Sequence, residues 1–135
     1  MILKTYTRIF TTDLEQTLGI LTVLHAGEPH LRFRFDPWDL VGIGDMLLVA
    51  GTAEELAPIR ESFGPWVVSD IDETRRSLIE AGAEITQDVV PVPTGRMMYA
   101  RHADGILVEY VQWTPELMEQ FIEAPRRAGK LSSQL

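Results

Sequence analysis

The 135-residue sequence contains no cysteine. Its absence excludes a disulfide framework, a thiol nucleophile and any zinc or iron–sulfur site that depends on cysteine ligands. Basic residues are also few, because 12 lysines and arginines face 20 aspartates and glutamates, which gives a net charge of −8 at pH 7. An acidic chain is a poor partner for nucleic acid or for an anionic membrane, so we expect neither partner.

Long apolar segments are missing as well. Met46–Ala50 is typical of the apolar stretches present, and a membrane-spanning helix needs about 20 such residues. The first eight residues alternate in polarity and lack the apolar core of a signal peptide. These absences, together with the lack of cysteine, predict a cytoplasmic protein.

What is present is the composition of one globular domain, with 45% apolar and 24% charged residues. The spacing of apolar residues predicts a strand over residues 2–11 and a helix from Leu14 to about His25. The helix should turn Leu14, Leu18, Leu21 and Leu24 inward. Three further strands are predicted over residues 31–35, 40–43 and 46–50.

The second half of the chain repeats this order. A linker over residues 52–62 leads to a strand at 65–68 and a helix that ends at Gly82, with Ile71, Leu78 and Ile79 inward. An irregular strand over 83–92 and a hairpin of residues 97–101 and 106–113 follow. Shifting the chain by 57 residues aligns the two helix starts, and shifting it by 60 aligns residues 45–49 with 105–109. Two matches in the same order predict an internal repeat.

A last helix is predicted after Thr114, with an apolar stripe ended by Pro125. The stripe consists of Leu117, Met118, Phe121 and Ile122. We therefore predict a single domain over 1–135, with module one at about 2–51 and the linker at 52–62. Module two covers about 63–113, and the C-terminal helix and tail cover 114–135.

Both modules have the order βαβββ, and their helices start with Asp-Leu-Glu and Asp-Ile-Asp. With the closing Asp104-Gly105-x-x-x-Glu109 hairpin, this pattern resembles the vicinal oxygen chelate superfamily over about residues 2–113. That superfamily includes glyoxalase I, extradiol dioxygenases, fosfomycin-resistance enzymes and bleomycin-resistance proteins. The resemblance implies an α+β fold in which two tandem βαβββ modules form curved mixed sheets around a cavity, with the C-terminal helix added. It also implies a homodimer, because the family usually builds or completes its cavities by pairing modules, sometimes across chains.

In metal-dependent members of the superfamily, each module supplies one ligand from its first strand and one from its last. The resemblance carries these four positions to Tyr6, Val49, Phe63 and Glu109. Only Glu109 is a good ligand for a divalent ion, and one carboxylate does not hold such an ion. We therefore expect no bound metal and no other cofactor.

Glu109 lies in a strand with apolar residues on both faces, so we expect it to be buried or to line a cavity. One interpretation makes it a ligand-facing acid, or a general base with a raised pKa, and Glu109 and Tyr6 are then the candidate catalytic residues. The other makes it the relic of a metal site, paired internally with Arg8, which shares a strand face with Tyr6. The sequence favours neither interpretation over the other.

The concave sheet faces implied by the resemblance predict the residues of a ligand pocket. An acidic, aromatic pocket favours a flat or cationic ligand. We interpret His25, Glu28 and His30 as parts of a solvated loop rather than as a metal cluster. The predicted ligand-binding residues are Tyr6, Arg8, Phe33, Phe35, Phe63, Tyr99, Glu109 and Trp113.

Three functional hypotheses follow. The first is a metal-free small-molecule-binding protein, similar to the bleomycin-resistance branch, that sequesters an aromatic or cationic ligand such as an antibiotic. The second is an enzyme of lyase, isomerase or dioxygenase type that uses Glu109 with Tyr6, or a non-standard metal site. The third is a homo-oligomeric interaction domain, which an exposed apolar stripe on the last helix would favour. The predicted ligand positions favour binding without catalysis.

Overall fold

The computed structural model describes residues 1–129, so residues 130–135 of the predicted tail lie outside the described part. The strands are β1 (Ile2–Thr5), β2 (Thr7–Thr11), β3 (Leu31–Phe35), β4 (Trp38–Ile43), β5 (Met46–Ala50), β6 (Phe63–Val68), β7 (Glu84–Val92), β8 (Gly95–Arg101) and β9 (Leu107–Trp113). The helices are α1 (Leu14–His25), α2 (Ala53–Leu56), α3 (Ile71–Glu80), α4 (Pro115–Met118) and α5 (Ala124–Arg127). A short 3-10 helix (Ala57–Ile59) follows α2, and a π-helical turn (Glu119–Glu123) joins α4 to α5.

The strands form two mixed sheets, and β1 of module one joins the sheet of module two. The first has the order β2-β5-β4-β3, and the second has the order β1-β6-β9-β8-β7. In both sheets the first strand of the module runs parallel to its last strand, as β2 does to β5 and β6 does to β9. The predicted α+β class, with two βαβββ modules and a C-terminal helix, is confirmed.

The segment predicted as one strand over residues 2–11 is split at Tyr6. β1 pairs with β6 in the second sheet, whereas β2 pairs with β5 in the first. At the break, the Tyr6 amide donates to the Pro65 carbonyl (3.1 Å) and the Thr7 amide donates to the Asp45 carbonyl (2.7 Å). Alternating polarity could not reveal the break, because both halves keep the same two-residue period.

Helices α1 and α3 pack on the sheet faces that point away from the gap between the sheets. Leu18 contacts the α1 side of the first sheet, and Ile71 contacts the α3 side of the second. The predictions for Leu24 and Ile79 are wrong, since Leu24 is 75% exposed and Ile79 is also exposed. A helix turns by about 100° per residue, which places each of these side chains about 80–90° from the centre of its apolar stripe.

The main core fills the gap between the two sheets, and the C-terminal segment closes one end of it. Ile122 is fully buried in that core, and Leu117, Met118 and Phe121 pack against it. The prediction that Pro125 ends the helix is wrong, because α5 continues to Arg127. The Ala124 amide donates to the Glu119 carbonyl, five residues back, and this wider π-helical turn accommodates the proline that follows.

Within residues 1–129, none of the helices has both the length and the apolar character required to cross a bilayer.

Candidate functional site

A cavity of about 40 Å³ lies in the gap between the sheets, and we call it the inner cavity. The C-terminal segment covers the core beside it, with the Phe121 ring against the rings of Trp113 (5.9 Å between centroids) and His30 (5.1 Å). Most of the lining is apolar or aromatic. The lining residues are Tyr6, Leu31, Phe33, Phe35, Leu40, Leu47, Pro65, Val92, Thr94, Glu109, Val111 and Trp113.

An ion pair between the sheets places a carboxylate at this cavity. Strand β2 supplies Arg8 and β9 supplies Glu109, and the Arg8 Nη2 donates to the Glu109 Oε1. The Arg8 Nη1 donates to the Ser62 Oγ (2.7 Å) and to the Tyr99 Oη (3.1 Å). The Arg8 side chain is 4% exposed and that of Glu109 is 17% exposed. The predicted contact between Arg8 and Glu109 is confirmed.

Burial controls the electrostatics of this cluster. It raises the pKa of Glu109, while the charge and hydrogen bond of Arg8 oppose that shift. Burial lowers the pKa of Arg8, but Glu109 and Tyr99 raise it by more, so the guanidinium stays charged. Burial and the Glu109 charge raise the pKa of Tyr99 to about 12, so its hydroxyl keeps its proton.

Gly64 allows β6 to lie against the backbone of Glu109. Its φ is 114°, a backbone conformation that residues with a Cβ rarely adopt. A Cβ built at this position would lie 2.7 Å from the Glu109 carbonyl oxygen. A glycine is therefore required where the first strand of the second module passes the cluster.

A second and larger cavity of about 570 Å³, which we call the outer cavity, lies where β3 ends and β9 begins. The C-terminal segment, which covers the core beside the inner cavity, instead follows the other end of β9. Phe35 lines both cavities. The lining residues of the outer cavity are Phe35, Asp36, Trp38, Pro58, Ile59, Thr86, Gln87, Val90, Pro91, Met97, Tyr99 and Leu107.

The structure brings most of the predicted ligand-binding residues to this region. Arg8 lies behind Glu109, and Tyr99 lines the outer cavity. Phe63 lines neither cavity and is 56% exposed, in a stretch of β6 whose register against β9 is irregular. The predicted residues that line the inner cavity are Tyr6, Phe33, Phe35, Glu109 and Trp113.

His30 is a neighbour of the site that the sequence interpretation missed. It is half-buried rather than solvated, its Nε2 lies 2.8 Å from the Tyr6 Oη, and the two rings stack. Burial and the nearby Lys4 charge lower the pKa of His30. Ser62 was also missed, and no sequence signal marks either residue as part of the site.

The residues at the four metal positions implied by the resemblance do not fit a divalent ion. The Tyr6 hydroxyl pairs with His30, Val49 is apolar, and Phe63 is exposed. The one carboxylate, Glu109, already pairs with the buried guanidinium of Arg8, whose positive charge opposes a second cation. No group of three or more histidines and carboxylates within the described residues could hold an ion.

The chain is similar to proteins of known structure. An uncharacterized protein from Methanosarcina mazei has 34% sequence identity and a TM-score of 0.80, with 84% of this chain and 94% of that chain covered. No protein-family model matches the sequence, and no curated protein matches it.

Two more distant structures are methylmalonyl-CoA epimerases. The Mycobacterium tuberculosis epimerase has 16% identity and a TM-score of 0.68, with 87% of this chain and 93% of that chain covered. A variant of the Streptomyces coelicolor epimerase in complex with 2-nitronate-propionyl-CoA has 15% identity and a TM-score of 0.66, with 84% and 99% covered. At these identities the likeness concerns the fold alone. The chain therefore belongs to the family of the uncharacterized Methanosarcina mazei protein, and its fold is that of the vicinal oxygen chelate proteins.

Proposed function

We propose that the protein binds a small aromatic ligand without a metal ion, through a hydrogen bond to Glu109. One observation carries the proposal. Arg8 holds the Oε1 of Glu109, no donor from residues 1–129 bonds to the Oε2, and the side chain lines an aromatic cavity. A hydroxyl, amide or amine group of an aromatic ligand can enter the cavity and donate a hydrogen bond to that oxygen.

The charge balance of the site favours a neutral aromatic ligand over the cationic ligand that the sequence also allowed. Arg8 and Glu109 together carry no net charge, and Thr94, which also lines the inner cavity, is neutral. A bound cation would lie close to the Arg8 guanidinium and lose part of its attraction to Glu109. A neutral donor group avoids that repulsion.

The cluster is an inefficient way to stabilise a fold, which supports a functional role. Removing two charges from water is costly, and apolar replacements of buried ion pairs are often as stable or more stable. The Arg8 Nε is buried and has no hydrogen-bond partner among the described residues, which adds to the cost. Arg8 instead opposes the rise in the pKa of Glu109 that burial causes, and its hydrogen bond fixes the orientation of Glu109 toward the cavity.

A ligand panel with matched variants tests the proposal. Protein dialysed against a chelator is mixed with neutral phenols and anilines, and binding is followed by the shift in melting temperature. We expect binding that needs no added metal and that weakens about tenfold in Glu109→Gln, whereas the surface control Glu61→Gln binds as the wild type does. Stoichiometric metal retained after dialysis and lost in Glu109→Gln would refute the metal-free proposal, and equal binding by both variants would remove Glu109 from the site.

An isomerase is the second candidate, because the inner cavity holds a carboxylate that can act as a general base, with a tyrosine hydroxyl beside it. Glu109 and Tyr6 both line it, and burial raises the pKa of Glu109 toward the range of a general base. Its test is exchange of the α-proton of methylmalonyl-CoA with deuterium oxide, followed by NMR. Exchange that stops in Glu109→Gln would favour the isomerase over the binding protein, and no exchange with the wild type would exclude this substrate.

The homodimer implied by the resemblance stays a prediction, as does the cytoplasmic location. The surface that suggested self-association is not available, because the stripe on the last helix is packed in the chain's own core. Exposed apolar residues lie instead on α1, at Ile20, Val23 and Leu24. Sedimentation velocity is the check: a dimer at micromolar concentration supports the prediction, and a monomer contradicts it.

A further inference from the structure

The outer cavity has the dimensions of a small-molecule site, whereas the inner cavity does not. Its volume of about 570 Å³ lies within the range of ligand pockets, about 300–1,000 Å³. The inner cavity, at about 40 Å³, lies far below that range. A ligand that reaches Glu109 must therefore place most of its volume elsewhere.

The wall of the outer cavity is rigid and aromatic. Phe35 and Trp38 lie with ring centroids 6.4 Å apart and their planes inclined at 35°. The Trp38 Nε1 donates to the Glu55 carbonyl (3.0 Å), which satisfies the indole N–H and fixes the ring. An aromatic wall that is already oriented and satisfied binds flat apolar molecules at a low entropic cost.

No unpaired charge faces the outer cavity from the described residues. Its charged member, Asp36, accepts a hydrogen bond from the Arg34 Nη2 (3.1 Å). Gln87 donates through its Nε2 to the Asp88 carbonyl (3.0 Å). A charged ligand body would lose hydration here without gaining a partner, so the cavity favours an uncharged one.

The two cavities are adjacent along the same strand faces. Leu107 lines the outer cavity and Glu109 the inner one, two residues further along β9. Val90 and Val92 have the same relation on β7. Two residues in a strand span about 7 Å, so the two cavities lie next to each other along these strands. Phe35 borders both cavities and lies at their junction.

We propose that the outer cavity binds the flat, uncharged body of the same ligand whose small donor group reaches Glu109 in the inner cavity. This inference rests on the proposed function and narrows its ligand class to bicyclic or similarly sized aromatics with one hydroxyl or amine. The residues that line the inner cavity then contact the ligand's hydroxyl or amine, and Trp38 contacts its aromatic body.

The three tryptophans of the chain allow a direct test by NMR. Trp38 lines the outer cavity, Trp113 lines the inner one, and Trp66 packs against Tyr110 on the other face of the sheet. The probes are 2-naphthol, which has a body and a head, and naphthalene, which has the body alone. We expect 2-naphthol to shift the indole N–H signals of Trp38 and Trp113, naphthalene to shift that of Trp38, and neither to shift that of Trp66.

Two matched variants locate the subsites. Val90→Phe fills the outer cavity and should weaken the binding of both probes about tenfold. Val92→Phe fills the inner cavity and should weaken 2-naphthol while leaving naphthalene within about twofold. Unchanged 2-naphthol binding in Val90→Phe, or no shift of the Trp38 signal with either probe, would overturn the inference.

The outcome also separates this inference from the proposed function. If Glu109→Gln weakens 2-naphthol and Val90→Phe does not, the Glu109 site stands and the outer subsite is refuted. If Val90→Phe weakens 2-naphthol and Glu109→Gln does not, the ligand does not bridge the two cavities and both proposals for Glu109 fail. A Trp38 shift on dilution without any probe would identify the occupant as a second copy of the chain and overturn the small-molecule assignment.

Discussion

Replacing Glu109 by alanine leaves the buried Arg8 guanidinium without its carboxylate. Breaking a buried ion pair by removing one partner costs about 3–5 kcal/mol. Arg8 keeps its bonds to Ser62 and Tyr99, and the exposed 17% of the Glu109 side chain shows that water can reach the vacated space. We therefore expect the lower end, a loss of about 3 kcal/mol in the free energy of unfolding.

Urea denaturation measures this loss, because a slope of about 1–3 kcal/mol per molar converts 3 kcal/mol into a midpoint lower by about 1–3 M. Glu109→Gln keeps an acceptor for Arg8 and should lose only about 1 kcal/mol. The double variant R8M/E109L removes both charges and should recover most of the loss. The surface variant Glu61→Ala, which breaks an exposed pair with Arg101, should cost less than about 1 kcal/mol. An effect of Glu109→Ala as small as that of Glu61→Ala would refute the reasoning.

Three further predictions concern the rest of the chain. Burial raises the pKa of all three tyrosines above 10.0 in the folded protein, so the unfolded chain loses these protons at a lower pH. The free energy of unfolding should therefore fall as the pH rises from 10 toward 12. Little tyrosinate absorbance should be seen before the protein unfolds. Tyrosinate that appears near pH 10 in the folded protein would contradict this. Burial, with the charges of Lys4 and His25, lowers the pKa of His30 below 6.5 although Asp45 opposes the shift, so stability should fall as the pH drops below 6.5. Urea midpoints of His30→Gln should depend less on pH in that range, and an equal dependence would contradict the assignment. Ile122→Ala should cost about 3 kcal/mol by thermal or urea unfolding, whereas the same change at exposed Leu24 should stay within about 0.5 kcal/mol, and equal effects would be inconsistent with a buried last helix.

Local patterns in the sequence were sufficient for most of the secondary structure and for the repeat, but they missed the break at Tyr6 and the helix beyond Pro125. The bounds of α1 and β5, for example, agree with the predictions from periodicity, since the alternation and spacing of apolar residues follow from helix and strand geometry alone. The pairing of Arg8 with Glu109 was also predictable, because a buried carboxylate needs a partner and the resemblance placed the two strands at one site.

Contacts between distant segments decided the rest. The break at Tyr6 assigns the two halves of one extended segment to different sheets, and no residue near it signals a break. His30 and Ser62 join the site because the fold brings each of them next to a partner that is distant in the sequence. His30 contacts Tyr6, 24 positions away, and Ser62 contacts Arg8, 54 positions away. The sequence by itself determined most of the elements, their order and the charged pair, because these depend on neighbours along the chain or on one obligatory partner. Only the tertiary structure decided which faces close around the two cavities and which segment covers the core beside the inner one, because packing between sheets depends on residues far apart in the chain.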